Sequence, residues 1–197
     1  MGAQSLRMSP MPPRPRPVDL LRARRRTVPD VLGPDLRVLF CGINPGLYSA
    51  AIGHHFGRPG NRFWKALHAA GFTERVLAPF EDTTLVERGL GITNLCPRTT
   101  ARAEELSAVE LGRGAAVLAR KVARQRPRAV AVLGISAYRL AFSRPGAVPG
   151  RQVEGIGGCA AWVLPNPSGL NAHYGLAELA ACFRALRVEL DGPSAGA

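Results

Sequence analysis

Leu39-Phe40-Cys41-Gly42-Ile43-Asn44-Pro45-Gly46 holds two signals in one short stretch. An apolar run that begins at Val38 stops abruptly at Gly42, as a buried strand does where it enters a tight loop. Loops at the carboxyl edge of parallel strands are where open α/β sheets bind ligands. Asn44 lies in such a loop between two glycines and beside Pro45, so the backbone is closely shaped while one amide side chain projects. The segment continues from Tyr48 to Lys65 as YSAAIGHHFGRPGNRFWK.

Outward from this stretch, apolar runs alternate with helical patterns. A first strand is expected over 36–43, and a helix over 61–71 with Asn61 as N-cap and Gly71 as stop. A short helix around 84–88 leads to a second strand at Gly91-Ile92-Thr93-Asn94-Leu95. A long helix is predicted over 103–126, ending before Pro127. Ala129 to Gly134 is a continuous apolar strand of the kind covered on both faces. Ser136 is placed to cap a short helix over 137–142, and the Gly/Pro-rich 144–158 suits a small hairpin arm. The last strand, 160–165, exits into Asn166-Pro167-Ser168-Gly169-Leu170, and an amphipathic helix over 176–190 closes the chain. The alternation predicts a three-layer α/β/α sandwich around a mainly parallel sheet of four to five strands.

The organisation expected is a basic Pro/Arg-rich tail over 1–33, one domain over 34–191 and a frayed end over 192–197. At 197 residues and 46% hydrophobic content, one domain with a substantial core is the simplest division. Lys and Arg number 26 against 14 acids, a net charge of +12. Codon usage can explain the preference for arginine over lysine but not the surplus over acids, which points to a polyanionic partner, most often nucleic acid. No apolar run approaches the length of a membrane span, and the first residues lack a secretory h-region. Cys41, Cys96, Cys159 and Cys182 are widely spaced, without CxxC or Cys/His pairing, so no metal is expected and a reduced cytoplasmic setting is the default.

Two strand-exit loops carry the polar groups, GINPG and NPSGL. Neither holds a GxGxxG or GxxxxGK[ST] fingerprint, and no HExxH or nucleophile elbow occurs. Amides, hydroxyls, backbone N–H groups and an occasional histidine remain. Such a set can orient a neutral planar ligand and one water.

LFCGINPG followed by FGRPGNRFWK, then GITNL, then WVLPNPSGL resembles the mismatch-specific uracil-DNA glycosylase and thymine-DNA glycosylase family of the uracil-DNA glycosylase superfamily. The likeness runs from about Leu36 to Leu190 with the motifs in order. It implies an enzyme that removes uracil and related damaged pyrimidines from double-stranded DNA, typically opposite guanine; no cofactor is expected, and the chain is expected to be a monomer. On that resemblance Asn44 positions the attacking water. Ile43, Gly46, Ser49, Phe56 and Asn166 line the base pocket, with Phe56 stacking on the flipped base and Ser49 near the pyrimidine 5-position. Ser168, Gly169, Leu170, Asn171 and His173 form the duplex wedge and its backbone contacts. Arg58 and Arg62 flank the pocket loop as phosphate contacts, set against a solvated face. Ala172 stands where a basic side chain is often found, leaving His173 or Tyr174 to substitute.

The chemistry suits these residue types. A base inside a duplex must be flipped out to be cleaved, at a few kcal/mol of unstacking. Bond cleavage develops negative charge on the base, which preorganised N–H donors stabilise. Asn44 can hold a water but is not a general base near neutral pH, so a slow enzyme is expected. Asp82 is the one aspartate placed to assist. It reads first as a helix N-cap before Thr83-Thr84-Leu85 and second as an auxiliary base. Lys65 and Lys121, the only lysines, lie outside the motif loops, which favours monofunctional hydrolysis over Schiff-base chemistry. His54 and His55 read as surface-loop residues, and Phe63, Trp64 and Trp162 as packing residues. A non-catalytic damage-recognition module on the same fold and a small-molecule nucleotide hydrolase are the competing classes.

Overall fold

The computed structural model describes residues 14–192. Five strands, β1 (Val38–Gly42), β2 (Leu90–Asn94), β3 (Ala129–Leu133), β4 (Gly150–Arg151) and β5 (Ala160–Leu164), form one sheet in the order β2-β1-β3-β5-β4. The first four in that order are mutually parallel, and only the short edge strand β4 is antiparallel. The helices are α1 (Pro17–Ala23), α2 (Leu47–Ile52), α3 (Phe63–Ala69), α4 (Ala108–Gln125), α5 (Ile135–Ala141) and α6 (Leu176–Asp191). The architecture is the expected α/β sandwich.

Alternation along each strand sorts the core into two layers, because successive side chains point to opposite faces. Val38, Phe40, Leu90, Ile92, Ala131, Leu133, Trp162 and Leu164 pack against α3 and α6. Leu39, Cys41, Val130, Val132, Ala161 and Val163 pack against α4 and α5. Phe40 centres the first layer, edge-on to Phe63 at 5.5 Å and Phe72 at 5.6 Å and stacked on Phe183 at 5.6 Å.

The strand order places the site. From β1 the chain moves outward to β2, then crosses β1 to reach β3 and continues to β5. Connections leaving β1 and β3 therefore depart in opposite directions, which opens a crevice between their carboxyl ends. The exits of both strands, Ile43 and Gly134, meet there. A Cβ added to Gly134, whose φ is +148°, would lie 2.9 Å from the Ile43 side chain.

Several local expectations change. The predicted helix over 103–126 divides into a 3-10 turn, Ala103–Glu105, and α4. Ser107 and Glu110 form a reciprocal capping box that starts α4 afresh. The segment Pro79–Arg88 is 3-10 throughout, and Asp82 sits inside it rather than capping it. Gly134, not Ser136, precedes α5.

The tail boundary at 33 also moves. Residues 1–13 lie outside the described chain, but 14–33 are folded onto the domain. Ala23, Val28 and Val31 are buried, and Val31 exchanges two backbone hydrogen bonds of 2.8 Å with Ile92 of β2. Asp30 accepts from Thr93 Oγ1 at 2.6 Å and pairs with Lys121 of α4, which itself bonds Thr93 Oγ1 at 2.6 Å. Arginine-rich composition concealed this docking because its anchors are short apolar and polar residues spaced between the charges.

Candidate active site

A cavity of about 730 Å³ opens at the β1/β3 crevice. Its walls include Gly42 to Gly46 after β1, Asn94 at the end of β2 and Leu133 to Ala137 after β3, with Asn166 and Ser168 after β5. Ser49, His55, Phe56, Arg58 and Asn61 close one side, Thr100 to Glu104 another, and Leu170 to Tyr174 a third. Ile43, Asn44, Gly46, Ser49, Phe56, Arg58, Asn166, Ser168, Leu170, Asn171 and His173 thus border one space. Asp82, Arg62 and Gly169 do not line it.

Asn44 is oriented by its surroundings. Its Nδ2 donates to the Arg98 carbonyl at 2.8 Å and to Thr100 Oγ1 at 2.7 Å. The Thr100 hydroxyl proton is already committed to the Arg102 carbonyl at 2.7 Å, so its oxygen can only accept from Asn44. Both partners are acceptors, which fixes the nitrogen toward them and leaves Oδ1 turned away. No donor among the described residues reaches that oxygen. Behind this arrangement, Arg98 forms a two-pronged pair with Glu110 at 2.6 and 3.1 Å. The Arg98 guanidinium holds the Glu110 carboxyl down to about 2.

Phe56 takes a left-handed backbone with φ of +52° and stacks on Phe63, ring centroids 4.1 Å apart. One face of the ring is therefore backed by core while Phe56 itself remains part of the cavity wall. Ser49, a buried residue of α2, accepts from Gly57 N at 3.0 Å and so closes the loop that carries Phe56. Gly46 precedes α2, and nothing lies within 4 Å of where its Cβ would stand. Open space there lets a planar ligand approach the backbone. At Gly42 the reverse holds: a Cβ would fall 2.7 Å from Asn94 Oδ1, so a side chain there would displace that amide.

His55, read from sequence as a surface-loop residue, and Asn94, given no role there, both enter the site. His55 is 2% exposed, against the surface position expected of it. Its Nε2 lies 2.8 Å from the Pro29 carbonyl, which requires a proton on Nε2 and leaves Nδ1 an acceptor. Asn94 Nδ2 faces that Nδ1 at 3.5 Å, a long contact that turns Asn94 Oδ1 toward Gly42. Burial pushes the His55 pKa below its ordinary value, keeping the ring neutral.

Asp82 is 3% exposed and serves the same loop. Its Oδ1 meets His54 Nδ1 at 3.0 Å, and its Oδ2 accepts from His55 N at 3.2 Å. Both carboxylate oxygens are thus engaged behind the cavity wall.

Arg62 differs from the phosphate contact expected. Its guanidinium donates to the carbonyls of Ser168, Tyr174 and Asn171, the last at 2.8 Å, and its own N–H donates to the Pro167 carbonyl at 2.9 Å. A group so occupied clamps the 166–174 loop. Within that loop, Asn166 Oδ1 accepts from Ser168 N at 2.9 Å, Ser168 Oγ from Leu170 N at 3.3 Å, and the Asn166 carbonyl from Asn171 Nδ2 at 2.9 Å. Gly169 lies against the Gly60 backbone, where a Cβ would come within 2.8 Å of the Gly60 carbonyl oxygen. Leu170, 66% exposed, projects from this rigid turn. Arg58 is exposed and pairs with no carboxylate among the described residues, which leaves it available at the cavity mouth. Both lysines lie elsewhere: Lys121 is held by Asp30, and neither lysine lines the cavity.

Comparison with known proteins bears on the family and the fold. Residues 29–187 match the model of the Uracil DNA glycosylase superfamily. The fold is also similar to the solution NMR structure of a candidate uracil DNA glycosylase from Methanosarcina acetivorans, with a TM-score of 0.55 and 22% sequence identity. That likeness covers 83% of this chain and 98% of the other.

Proposed function

The chain belongs to the uracil DNA glycosylase superfamily, and we propose that it flips uracil out of double-stranded DNA, preferentially opposite guanine, and hydrolyses the N-glycosidic bond without lyase chemistry. It acts as a monomer and also accepts related damaged pyrimidines. The observation that carries this reading is Asn44, whose amide nitrogen is pinned and whose Oδ1 is left free in a cavity with room for a flipped nucleotide. That oxygen accepts from a water and aims one of its lone pairs at the sugar carbon. Positioning replaces general-base strength here, since an amide takes up no proton near neutral pH.

Phe56 replaces the stacking that the flipped base loses, and Leu170 fills the gap it leaves in the duplex. As the bond breaks, negative charge grows on the departing base, and backbone N–H groups around the cavity stabilise it. Asp82 acts through the loop it holds, by way of His54 and His55, rather than at the reacting atoms. Arg58 meets a backbone phosphate beside the flipped nucleotide.

The test uses labelled duplexes bearing one G·U, A·U, G·T or G·ethenocytosine pair, together with single-stranded uracil DNA, each treated with enzyme and then alkali. Strand scission at uracil, fastest opposite guanine, is expected. No alkali-sensitive product from any substrate would overturn the glycosylase reading and leave the non-catalytic damage-recognition module and the nucleotide hydrolase. Asn44→Ala is expected to abolish scission and Asp82→Ala to reduce it. If Asn44→Ala retains the full rate while Asp82→Ala is inactive, the carboxylate is the catalytic group.

A further inference from the structure

The superfamily match begins at residue 29, yet the chain is folded from well before it. Helix α1 packs on α2, the helix that directly follows the Asn44 loop, burying Ala23 and Val28 beside Ala50. Two polar ties fix this packing. Arg26 Nη1 donates to the Ala51 carbonyl at 3.3 Å, and the Arg26 carbonyl accepts from Thr99 Oγ1 at 2.6 Å. Ala51 belongs to α2 and Thr99 lies between the two residues that orient Asn44. The segment is therefore held against both sides of the catalytic loop.

Its outer surface is arginine-rich. Arg22, Arg24, Arg25 and Arg26 are all exposed, and Arg22, Arg24 and Arg25 share one shallow surface concavity with Leu21. Among the described residues, Arg24 has only a distant carboxylate, Glu105 at 3.9 Å, next to the Arg102–Glu104 wall of the cavity. Among the described residues, Arg22 and Arg25 pair with no carboxylate. Uncompensated guanidinium groups converging on an open concavity are the arrangement that phosphate oxygens satisfy.

We propose that α1 and Arg24–Arg26 form a track for the phosphate backbone of duplex DNA, flanking the base cavity and lying outside the matched superfamily region. The proposal rests on the DNA reading above. The track contacts backbone only, so it adds affinity and holding time without sequence preference. Its position beside α2 lets duplex continue from the cavity mouth across the helix.

The test measures binding of an undamaged DNA duplex across salt concentrations, for the full-length protein and for Arg22→Gln/Arg25→Gln and Arg22→Lys/Arg25→Lys. Each phosphate contact contributes about −0.9 to the slope of log K against log salt. The Gln pair is expected to make the slope shallower by about 2, so that its deficit against the parent narrows about tenfold between roughly 50 and 200 mM salt. The Lys pair keeps the charge and is expected to keep slope and affinity. A Gln pair with parental slope and affinity would overturn the proposal, as would a loss confined to an RNA duplex of the same sequence. A misfolded variant is recognised because the Gln and Lys pairs would then fail alike, which also counts against an electrostatic track. Undamaged duplex requires no excision, so loss of the glycosylase reading and loss of the track are separately visible.

Discussion

At the scale of single residues, the candidate side chain was legible and the contacts that orient it were not. Asn44 stood out because GINPG isolates one amide in a shaped loop. Thr100, which decides where that amide points, sits in an ordinary polar run and is joined to Asn44 only by folding. Replacing Thr100 with Val removes one acceptor while keeping shape, so the amide is held by the Arg98 carbonyl without its second partner. The expected result is a fall of up to about tenfold in kcat with little change in KM, the equivalent of one hydrogen bond near 1 kcal/mol. Thr100→Ser keeps the oxygen and is expected to restore the rate, which steady-state kinetics on a G·U duplex would check. His55 was misplaced for a related reason: a polar residue beside glycines looks like surface, and nothing local marks the Pro29 carbonyl as its partner. Its lowered pKa has a consequence for stability. The unfolded chain binds a proton at His55 near the ordinary value of 6.5, whereas the folded chain resists it. Stability is therefore intact above about 6.5 and falls as the pH drops from there through the folded value. Thermal unfolding between about pH 7.5 and 5 is expected to show a steeper loss for the parent than for His55→Gln. Parallel curves would assign the acid sensitivity to other groups.

At the scale of elements, strands were read well because period-two alternation is strong and local. Each predicted strand falls within two residues of an observed one. Helix boundaries were read less well where caps decide them. Ser107 and Glu110 have the spacing of a capping box, a signal present in the sequence that apolar periodicity over 103–126 outweighed. The segment Pro79–Arg88 carries an ordinary start signal, Pro79 with Glu81 bonding back to Ala78 N at 2.8 Å, but nothing in that signal selects 3-10 over α. The 166–174 loop shows what function gains from such tertiary control. A loop bearing an exposed Leu170 would collapse onto the protein or flutter unless fixed, and Arg62 fixes it by three carbonyls at once. A lysine ammonium cannot span that fork. Arg62→Lys is expected to reduce uracil excision from duplex by about as much as Leu170→Ala, with the double variant little worse than either, because both remove one wedge. Excision from single-stranded DNA, which needs no wedge, is expected to be nearly unchanged in Leu170→Ala. Additive losses in the double variant would mean that Arg62 and Leu170 act separately.

At the scale of the whole molecule, the charge surplus pointed to a polyanion, but composition misdrew the domain. Reading 1–33 as a tail followed from its prolines and arginines, which contribute no periodic apolar face. Residues 14–33 are nonetheless integral, since they supply a few buried residues at points where the sheet and the Asn44 loop need partners. Val31 extends the hydrogen bonding of β2, Asp30 joins β2 to α4 through Thr93 and Lys121, and Pro29 fixes the tautomer of His55. Removing residues 1–33 therefore does more than shorten the chain. It strips Val28 and Val31 from the core, at about 1.5–3 kcal/mol for each fully buried side chain. It also leaves Lys121 without its carboxylate and His55 without its carbonyl. Urea unfolding of the full chain and of a chain starting at Pro34 is expected to differ by at least about 3 kcal/mol, with one cooperative transition in the full chain. A tail merely laid on the surface would leave the two midpoints equal. An integral segment also predicts that the truncated protein excises uracil poorly even at low temperature, where it is folded. The His55 ring is then free to change tautomer, and the Asn94 amide beside it loses its fixed orientation.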